Sequence, residues 1–450
     1  MFKELSISNI KEKFKNKELN PVDLANECIF QYKKSNSIYK PWVCFNEDII
    51  LTEANNSYKR IMDGKPLRFL EGIPIGIKDI FNSANFPTQM GSPLWKGFTP
   101  GNDARVVYNL RDAGGIIAGK TVTAEFAVHA LNETKNPHDP DLTPGTSSSG
   151  SAVAVALGMV PVSIGTQTAG SIVRPASFCG VYGCKPSFGL IPRTGSLKTT
   201  DSLDTIGFFT ARPDDLKTVF DVCRVHGPNY PISYAALKDM NRQNKPGDRP
   251  WKVAVIKTHT WENAPEYAKQ ALNNFAENLD SDSNIEIFDV DLPVEMKISH
   301  SIHEVIYNKS LSYYFSNEYE SYDLVSPVMK NLIEAGLGVS VENYHAALAS
   351  QNELIALMDD FLKGFDVVIS LSTLGEAPLR DNEELPDSAL MWTLTHLPVV
   401  SAPVFISPDQ RPFGLQIVAR KYNDLLLFNF IDYLQSVDFL PESCYPNLDL

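Results

Sequence analysis

Serine, glycine and a single lysine are concentrated in three short segments that together could carry out acyl transfer. These are residues 72–79, which include Lys78, residues 144–151, and residues 165–180, in which Ser171 follows Thr-Ala-Gly. A serine hydroxyl is a poor nucleophile near neutral pH and needs a base to take its proton. Backbone N–H groups gathered just before such a serine are what a developing oxyanion requires. The third segment therefore predicts a serine nucleophile with an oxyanion site beside it.

A lysine can act as the base only in its neutral form. At its ordinary pKa of about 10.4, deprotonating a lysine at pH 7 costs roughly 4–5 kcal/mol. Burial disfavours the charged form, and residues 142–173 contain no Asp, Glu, Lys or Arg. The sequence therefore predicts that an uncharged core surrounds Lys78 and lowers its pKa. Asp79 would oppose this effect unless its carboxylate points away.

Each segment has an ordinary explanation when it is taken alone. A serine in a glycine-rich turn is usually solvated, and Ser147, Ser148 or Ser149 could each cap the helix that follows. A lysine at the end of an apolar strand usually extends its ammonium group to the surface. Only the combination of the three segments points to a catalytic site.

Taken together, the three segments resemble the amidase signature family, the serine hydrolases that use a Ser–Ser–Lys triad. The stretches that carry the resemblance begin near Asn20-Pro21, run unbroken over 145–186, and return at 204–207, 397–398 and 412–416. Over residues 215–365 the resemblance is weak. It implies an amidohydrolase that splits the C–N bond of a small carboxamide through an acyl-enzyme. It implies no cofactor and no metal.

The resemblance also assigns a role to each residue of the site. It makes Ser171 the nucleophile, Lys78 the base, and Ser147 the middle member, whose preceding peptide bond is expected to be cis. Ser147 would relay the proton from Ser171 to Lys78 and then to the leaving amine. The oxyanion would be held by the N–H groups of Thr168, Ala169, Gly170 and Ser171.

Two departures from the common family pattern bear on this assignment. The segment reads Gln167-Thr-Ala169-Gly-Ser171 where Asp-Thr-Gly-Gly-Ser is usual, so the site survives only if Ala169 does not need a positive φ. Arg174 lies three residues after the nucleophile instead of two. Both features resemble the malonamidase branch, in which an arginine so placed binds a substrate carboxylate. The alternative is a structural Arg174 that fixes the 171–180 loop.

Three other functions stay open at this point. One is the amidase subunit of a tRNA-dependent amidotransferase, which passes ammonia to a partner but normally carries the Asp-Thr-Gly-Gly-Ser form. A second is a catalytically inactive scaffold, which the filled triad positions oppose. The third is nucleotide binding, because residues 114–121 match G-x4-G-K-T. There a helix precedes the glycines and a strand follows them, the reverse of the order a P-loop needs.

Helix-like and strand-like runs alternate along the chain, which predicts an α/β fold. We expect a single large domain over residues 1–450, with a mixed central β-sheet covered by helices on both faces and N-terminal docking helices. Its expected parts are an N-terminal helical segment (1–65), the signature core (66–210), a variable and mostly helical region (211–365), and C-terminal strands with a helix that complete the sheet (366–450). Strands are predicted at 73–77, 116–120, 251–256, 365–370, 399–406 and 413–418, helices from Pro21 and at 103–112 and 424–436, and a loop at 240–250.

The composition of the chain disfavours several classes of binding partner. The 450 residues carry a net charge of −14, which disfavours nucleic acid and anionic membranes. The small residues of the charge-free segment indicate close helix packing and not a membrane span. The six cysteines are sparse and are predicted to be reduced, and the start of the chain lacks an apolar signal segment, so we expect a cytoplasmic protein. The expected partner is a small-molecule amide, with a homodimer left open.

Overall fold

One 11-stranded mixed β-sheet runs through the molecule. The computed structural model describes residues 1–245, 247–382 and 385–444. The strands, in chain order, are β1 (Trp42–Phe45), β2 (Pro74–Lys78), β3 (Ile116–Thr121), β4 (Val162–Gln167), β5 (Tyr182–Lys185), β6 (Thr205–Thr210), β7 (Trp251–Ile256), β8 (Ile285–Val290), β9 (Val367–Leu371), β10 (Val399–Ile406) and β11 (Pro412–Ala419). They lie in the order β1-β3-β2-β4-β6-β5-β10-β11-β9-β7-β8. The prediction of a single α/β domain with a large mixed sheet is confirmed.

Helices of the described chain flank this sheet. They are α1 (Ile7–Lys15), α2 (Pro21–Tyr39), α3 (Glu47–Met62), α4 (Arg105–Asp112), α5 (Ser149–Ala156), α6 (Val173–Cys179), α7 (Leu216–Cys223), α8 (Pro231–Lys238), α9 (Met240–Gln243), α10 (Glu266–Asp280), α11 (Ser299–Tyr314), α12 (Ser316–Glu320), α13 (Pro327–Leu337), α14 (Val341–Phe361), α15 (Leu390–Leu394) and α16 (Asp424–Ser436). The predicted start of α2 is confirmed. Asn20 forms a capping box with Asp23, and Pro21 occupies the first helical position.

The sheet contains two parallel groups of strands. One is β3-β2-β4 and the other is β9-β7-β8, while the remaining neighbours are antiparallel. Parallel neighbours need long crossover connections, usually with a helix. α4 lies in the connection from β2 to β3, and α5 lies in the connection from β3 to β4. The segments 72–79 and 144–151 therefore lie on or between these three strands, and the segment 165–180 starts in β4 and continues through α6.

The carboxyl ends of β2 and β4 meet at one edge of the sheet. The two strands are parallel neighbours, with Ile77 opposite Ile164. Lys78 is the last residue of β2, and Gln167 is the last residue of β4. Side chains that follow the ends of adjacent parallel strands share one crevice. The register thus places Lys78 beside the start of the serine loop.

The charge-free segment is packed inside the protein. Every residue of α5 is buried. A Cβ atom on Gly150 would lie 2.4 Å from both the carbonyl oxygen of Pro41 and the backbone nitrogen of Val122. The small residues thus let α5 pack directly on neighbouring backbone. Over the residues described, no helix is both long and apolar enough to cross a membrane.

The structure differs from the sequence-based expectations in three places. β1 lies within the segment 1–65 that was expected to be helical, and β8 lies within the mostly helical region 211–365. Both are edge strands, and β8 has two exposed acidic residues among apolar ones of which only Ile285 is buried. Short, half-exposed strands give a weak periodic signal. In addition, α9 (Met240–Gln243) interrupts the expected 240–250 loop.

The close contact at Gly150 gives a stability prediction. We expect Gly150→Ala to lower the free energy of unfolding by about 1–3 kcal/mol, because the added methyl group meets backbone atoms that cannot rotate away. In an unobstructed helix the same change would raise stability by about 1 kcal/mol. Urea unfolding measures the difference. Gly364→Ala is the control, because no atom lies within 4 Å of its added Cβ. A Gly150→Ala variant as stable as the control would contradict the packing described.

Candidate active site

Lys78 and Ser147 are brought together as the sequence predicts. Nζ of Lys78 lies 2.7 Å from Oγ of Ser147 and donates a hydrogen bond to Oγ1 of Thr166 at 2.9 Å. The side chain of Lys78 is fully buried, so its amine has left bulk water. Ser147 lies two residues before the first residue of α5, and the peptide bond between Thr146 and Ser147 is cis.

Burial controls the protonation of this amine. It lowers the pKa of Lys78 to about 7, because the buried ammonium form loses its hydration, and the negative charge of Asp204 only partly opposes this effect. The carboxylate of Asp79 points away, as the lowered pKa requires. It pairs with Nζ of Lys120 at 2.9 Å. A substantial fraction of Lys78 is therefore neutral near pH 7.

Lys120 explains why the residues that match a P-loop are structural. They form the turn that follows α4 and the strand β3, so no helix follows the glycines. The ammonium group of Lys120 is buried and donates to the carbonyl oxygens of Phe81 and Pro87 and to Oγ1 of Thr88. The ammonium group that would contact a phosphate in a P-loop thus already donates its hydrogen bonds to protein acceptors, and this disfavours nucleotide binding.

Ser171 lies on the loop that connects β4 to α6. It is almost buried, with 9% of its surface exposed. Neither Ala169 nor Gly170 has a positive φ, so the alanine of this sequence fits where glycine is usual. Gly170 is required for another reason. A Cβ atom there would lie 2.1 Å from the carboxylate of Asp387, which packs directly against the loop.

Three successive carbonyl groups of this loop each accept a hydrogen bond. The carbonyl oxygen of Thr168 accepts from Nε2 of His303 at 2.8 Å, and that of Ala169 accepts from Oγ1 of Thr393 at 2.7 Å. The carbonyl oxygen of Gly170 accepts from the backbone N–H of Arg174 at 2.8 Å. In a trans peptide the N–H points opposite to the C=O. The N–H groups of residues 169–171 are therefore turned away from these three donors.

Gln167 ties the loop to the start of α6. Its Oε1 accepts from the backbone N–H groups of Ile172 and Val173 at 2.8 and 2.9 Å. Its Nε2 donates to Oγ1 of Thr393 at 2.9 Å. An aspartate at this position could accept but could not donate, so the glutamine uses both halves of its amide.

Arg174 forms an ion pair with Asp387. Its Nη2 lies 2.7 Å from Oδ2 of Asp387, and both side chains are mostly buried. The other carboxylate oxygen of Asp387 accepts from the backbone N–H of Ala389. Arg174 and Asp387 also line a small cavity of about 50 Å³ together with Phe178. A substrate carboxylate at Arg174 would share the guanidinium with Asp387.

Sequence reasoning missed five residues of this site. Thr166, Asp204, His303, Asp387 and Thr393 all contact the segments that carry the predicted triad and oxyanion groups. Two of them stood in stretches that the resemblance covers, Thr166 within 165–180 and Asp204 at the start of 204–207. Asp204 accepts from Oγ1 of Thr168 and from the hydroxyls of Thr199 and Thr200. His303 comes from the weakly matched region, where no motif marks it.

Metal-based chemistry has no ready site in the described chain. Within those residues, no group of three or more His, Cys, Asp or Glu side chains is arranged to hold a metal ion. The six cysteines are free thiols, and five of them are buried. The polar groups around the ends of β2 and β4 are hydroxyls, amides, the amine of Lys78, the carboxylate of Asp204, the ring of His303 and the Arg174–Asp387 pair.

Several curated proteins similar to this chain are subunits of glutamyl-tRNA(Gln) amidotransferases. A glutamyl-tRNA(Gln) amidotransferase subunit of Endomicrobium trichonymphae is 27% identical, and the match covers 98% of each chain. The same subunit of Microcystis aeruginosa is 29% identical over 96% of this chain and 98% of its own. These matches run nearly from end to end.

Solved structures share the fold. A chain from a study of a vestigial protein complex and the origins of an s-triazine catabolic enzyme superposes with a TM-score of 0.87 at 24% identity, covering 98% of this chain and 100% of that one. The peptide amidase of Stenotrophomonas maltophilia superposes with a TM-score of 0.79 at 22% identity, covering 99% of each chain. At this identity the likeness concerns the fold.

The placement of this chain near malonamidase stays a prediction, whereas its membership of the wider family is settled. The sequence profile of the Amidase family matches residues 23–428, which include all three serine, glycine and lysine segments. The resemblance seen in those segments is thereby confirmed, and the chain belongs to the amidase family.

Proposed function

We propose that this protein is an amidohydrolase that cleaves the C–N bond of a small carboxamide through an acyl-enzyme on Ser171. The observation that carries the proposal is the fully buried amine of Lys78, 2.7 Å from the hydroxyl of Ser147 at the same edge of the sheet as the Ser171 loop. Here the contacts of Nζ are two hydroxyl oxygens.

The proposed reaction begins with proton transfer from Ser171. Oγ of Ser171 attacks the amide carbonyl carbon and passes its proton to Oγ of Ser147, which gives its own proton to Nζ of Lys78. The C–N bond then breaks, and the leaving nitrogen takes the proton back along the same route. Water repeats the sequence on the acyl-enzyme. The products are a carboxylate and ammonia or an amine, with no cofactor needed.

The negative charge of the tetrahedral intermediate needs donors that are already in place. We assign this role to the N–H groups of the 168–171 loop, as the resemblance predicts. The support comes from the three loop carbonyls, which are held on the opposite side by His303, Thr393 and the start of α6. Prearranged donors in a site that excludes water stabilise an oxyanion far more than water does.

The proposal predicts how variants of the triad behave. We expect Ser171→Ala to abolish both amide hydrolysis and covalent labelling by a serine-directed fluorophosphonate, with the fold unchanged by circular dichroism. Lys78→Ala should lower both rates by about 10²–10⁴, the usual contribution of a general base. Ser281→Ala is a matched control, because Ser281 is an exposed serine at the end of α10 whose hydroxyl donates to the carbonyl oxygen of Asn278. Ammonia release from malonamate, allophanate-like ureas, aliphatic amides and aryl amides identifies the substrate.

Wild-type rates in Lys78→Ala would show that the lysine is not the base. Failure of the fluorophosphonate to label Ser171 in the wild-type protein would favour the inactive scaffold instead.

The lowered pKa of Lys78 predicts the pH dependence. The protonated amine cannot accept a proton, so the rate of Ser171 labelling should fall about tenfold per pH unit below a midpoint near 7. Above that midpoint the rate should be constant. A single titration measured between pH 5 and 9 tests this. A rate that still rises tenfold per unit up to pH 9 would mean that Lys78 keeps an ordinary lysine pKa.

Arg174 gives a prediction about the substrate. If it binds a substrate carboxylate, Arg174→Ala should raise KM about tenfold or more for carboxylate-bearing amides, through the loss of a charge-assisted hydrogen bond. The KM for neutral amides should change little. Steady-state kinetics on matched pairs of amides decide the matter. An equal loss on both classes would instead assign Arg174 to holding Asp387 against the loop.

A second function, amidase subunit of a tRNA-dependent amidotransferase, is favoured by the full-length similarity to the glutamyl-tRNA(Gln) amidotransferase subunits. Against it stand the Gln167 and Ala169 departures from the form that this kind of subunit normally carries. Co-purification with a partner protein and ammonia release specific to glutamine would establish it. Hydrolysis of other amides by the isolated chain would favour the independent hydrolase.

A further inference from the structure

Given the proposed function, we propose that His303 and Thr393 are positioning residues that aim the N–H groups of the oxyanion loop toward the reacting carbonyl. They come from α11 and α15, far from the signature segments in sequence. Each donates to one carbonyl oxygen of the loop, His303 to Thr168 and Thr393 to Ala169. Neither residue belongs to the triad.

A hydrogen bond to the carbonyl oxygen of a peptide group also fixes the direction of the N–H group of the same peptide. A trans peptide is planar, so its C=O and N–H point in opposite directions and turn together. Within the described chain, the N–H groups of Ala169, Gly170 and Ser171 donate to no protein acceptor. Without the donors from His303 and Thr393, the peptide groups that follow Thr168 and Ala169 would be free to rotate. The oxyanion donors would then have to reorient during each turnover.

His303 is suited to hold one carbonyl at all working pH values. A carbonyl oxygen only accepts, so Nε2 of His303 carries the proton. The ring is buried and packs against Tyr307, with 5.6 Å between ring centroids. Burial lowers the pKa of His303 to about 4, so the ring stays neutral and its tautomer is fixed by the contact.

Thr393 links the oxyanion loop to Gln167. Its single hydroxyl proton goes to the carbonyl oxygen of Ala169, and the hydroxyl oxygen accepts from Nε2 of Gln167. The amide of Gln167 cannot turn round, because its Oε1 already accepts two backbone N–H groups at the start of α6. The donor direction therefore runs from Gln167 to Thr393 and on to the loop. A glutamine at position 167 and a hydroxyl at position 393 depend on each other.

The test measures the pH profile of fluorophosphonate labelling at Ser171, because the phosphonyl transition state uses the same N–H groups. We expect Thr393→Val to lower the plateau rate by about 10–100-fold, less than the 10²–10³ caused by deleting a donor outright. The midpoint near pH 7 should stay where it is, since Lys78 is untouched. Thr393→Ser keeps the hydroxyl and should restore most of the plateau.

The second pair of variants is His303→Leu and His303→Gln. The leucine variant removes the donor and should lower the plateau, whereas glutamine can donate to Thr168 and should retain more of it. With an amide substrate, the loss should fall on kcat and leave KM nearly unchanged. Melting temperatures and circular dichroism restrict the comparison to folded variants, and either pair is sufficient if the other does not fold.

Three results would overturn the inference. One is a plateau within twofold of wild type in Thr393→Val or His303→Leu. Another is a Thr393→Ser variant as slow as Thr393→Val, which would show a packing role instead. A shifted midpoint would mean that the variant acts through Lys78. Failure of the proposed function has a different signature, since the wild-type protein would then not be labelled at Ser171 at all.

Discussion

The neutral state of one buried amine is the constraint on which the site depends. Folding removes Nζ of Lys78 from water and lowers its pKa to about 7, while the unfolded chain keeps an ordinary lysine. Between these two pKa values the unfolded state binds more protons than the folded state, so this group makes stability rise with pH and reduces it near neutrality. The proposed mechanism requires this loss of stability, because a protonated lysine could not take a proton from a serine.

Apart from Asp204, the rest of the architecture keeps charged groups away from that amine. Parallel pairing of β2 and β4 puts Lys78 next to Thr166, and the small residues of α5 bring the uncharged 147–151 backbone against it. The neighbouring Asp79 is turned toward Lys120, which neutralises it outside the site. The lysine of the P-loop-like segment thus has an electrostatic task in this fold, because it removes a carboxylate that would raise the pKa of Lys78.

The sequence predicted the parts of the candidate site that lie in short local motifs. Lys78, Ser147 and the Ser171 loop stand in compact segments, and the strands at Trp251–Ile256 and Val399–Ile406 and the helix at Asp424–Ser436 were predicted at their observed bounds. Edge strands such as β8 gave too weak a period. His303, Asp387 and Thr393 could not be found, because they reach the loop through tertiary packing and their own neighbours in sequence show no pattern. The partner of Gln167 likewise became visible only in three dimensions.

The most direct test is a titration of the Lys78 amine itself. In protein labelled with ¹³C at the lysine Cε positions, two-dimensional NMR follows each amine with pH. Three lysines of the described chain are fully buried, and Lys78→Ala and Lys185→Met assign the two whose pKa values burial lowers to about 7. The account predicts that the resonance lost in Lys78→Ala titrates with a midpoint near 7. A midpoint near 10 for that resonance would contradict the account, because the lysine would then be charged at the pH at which it must act as a base.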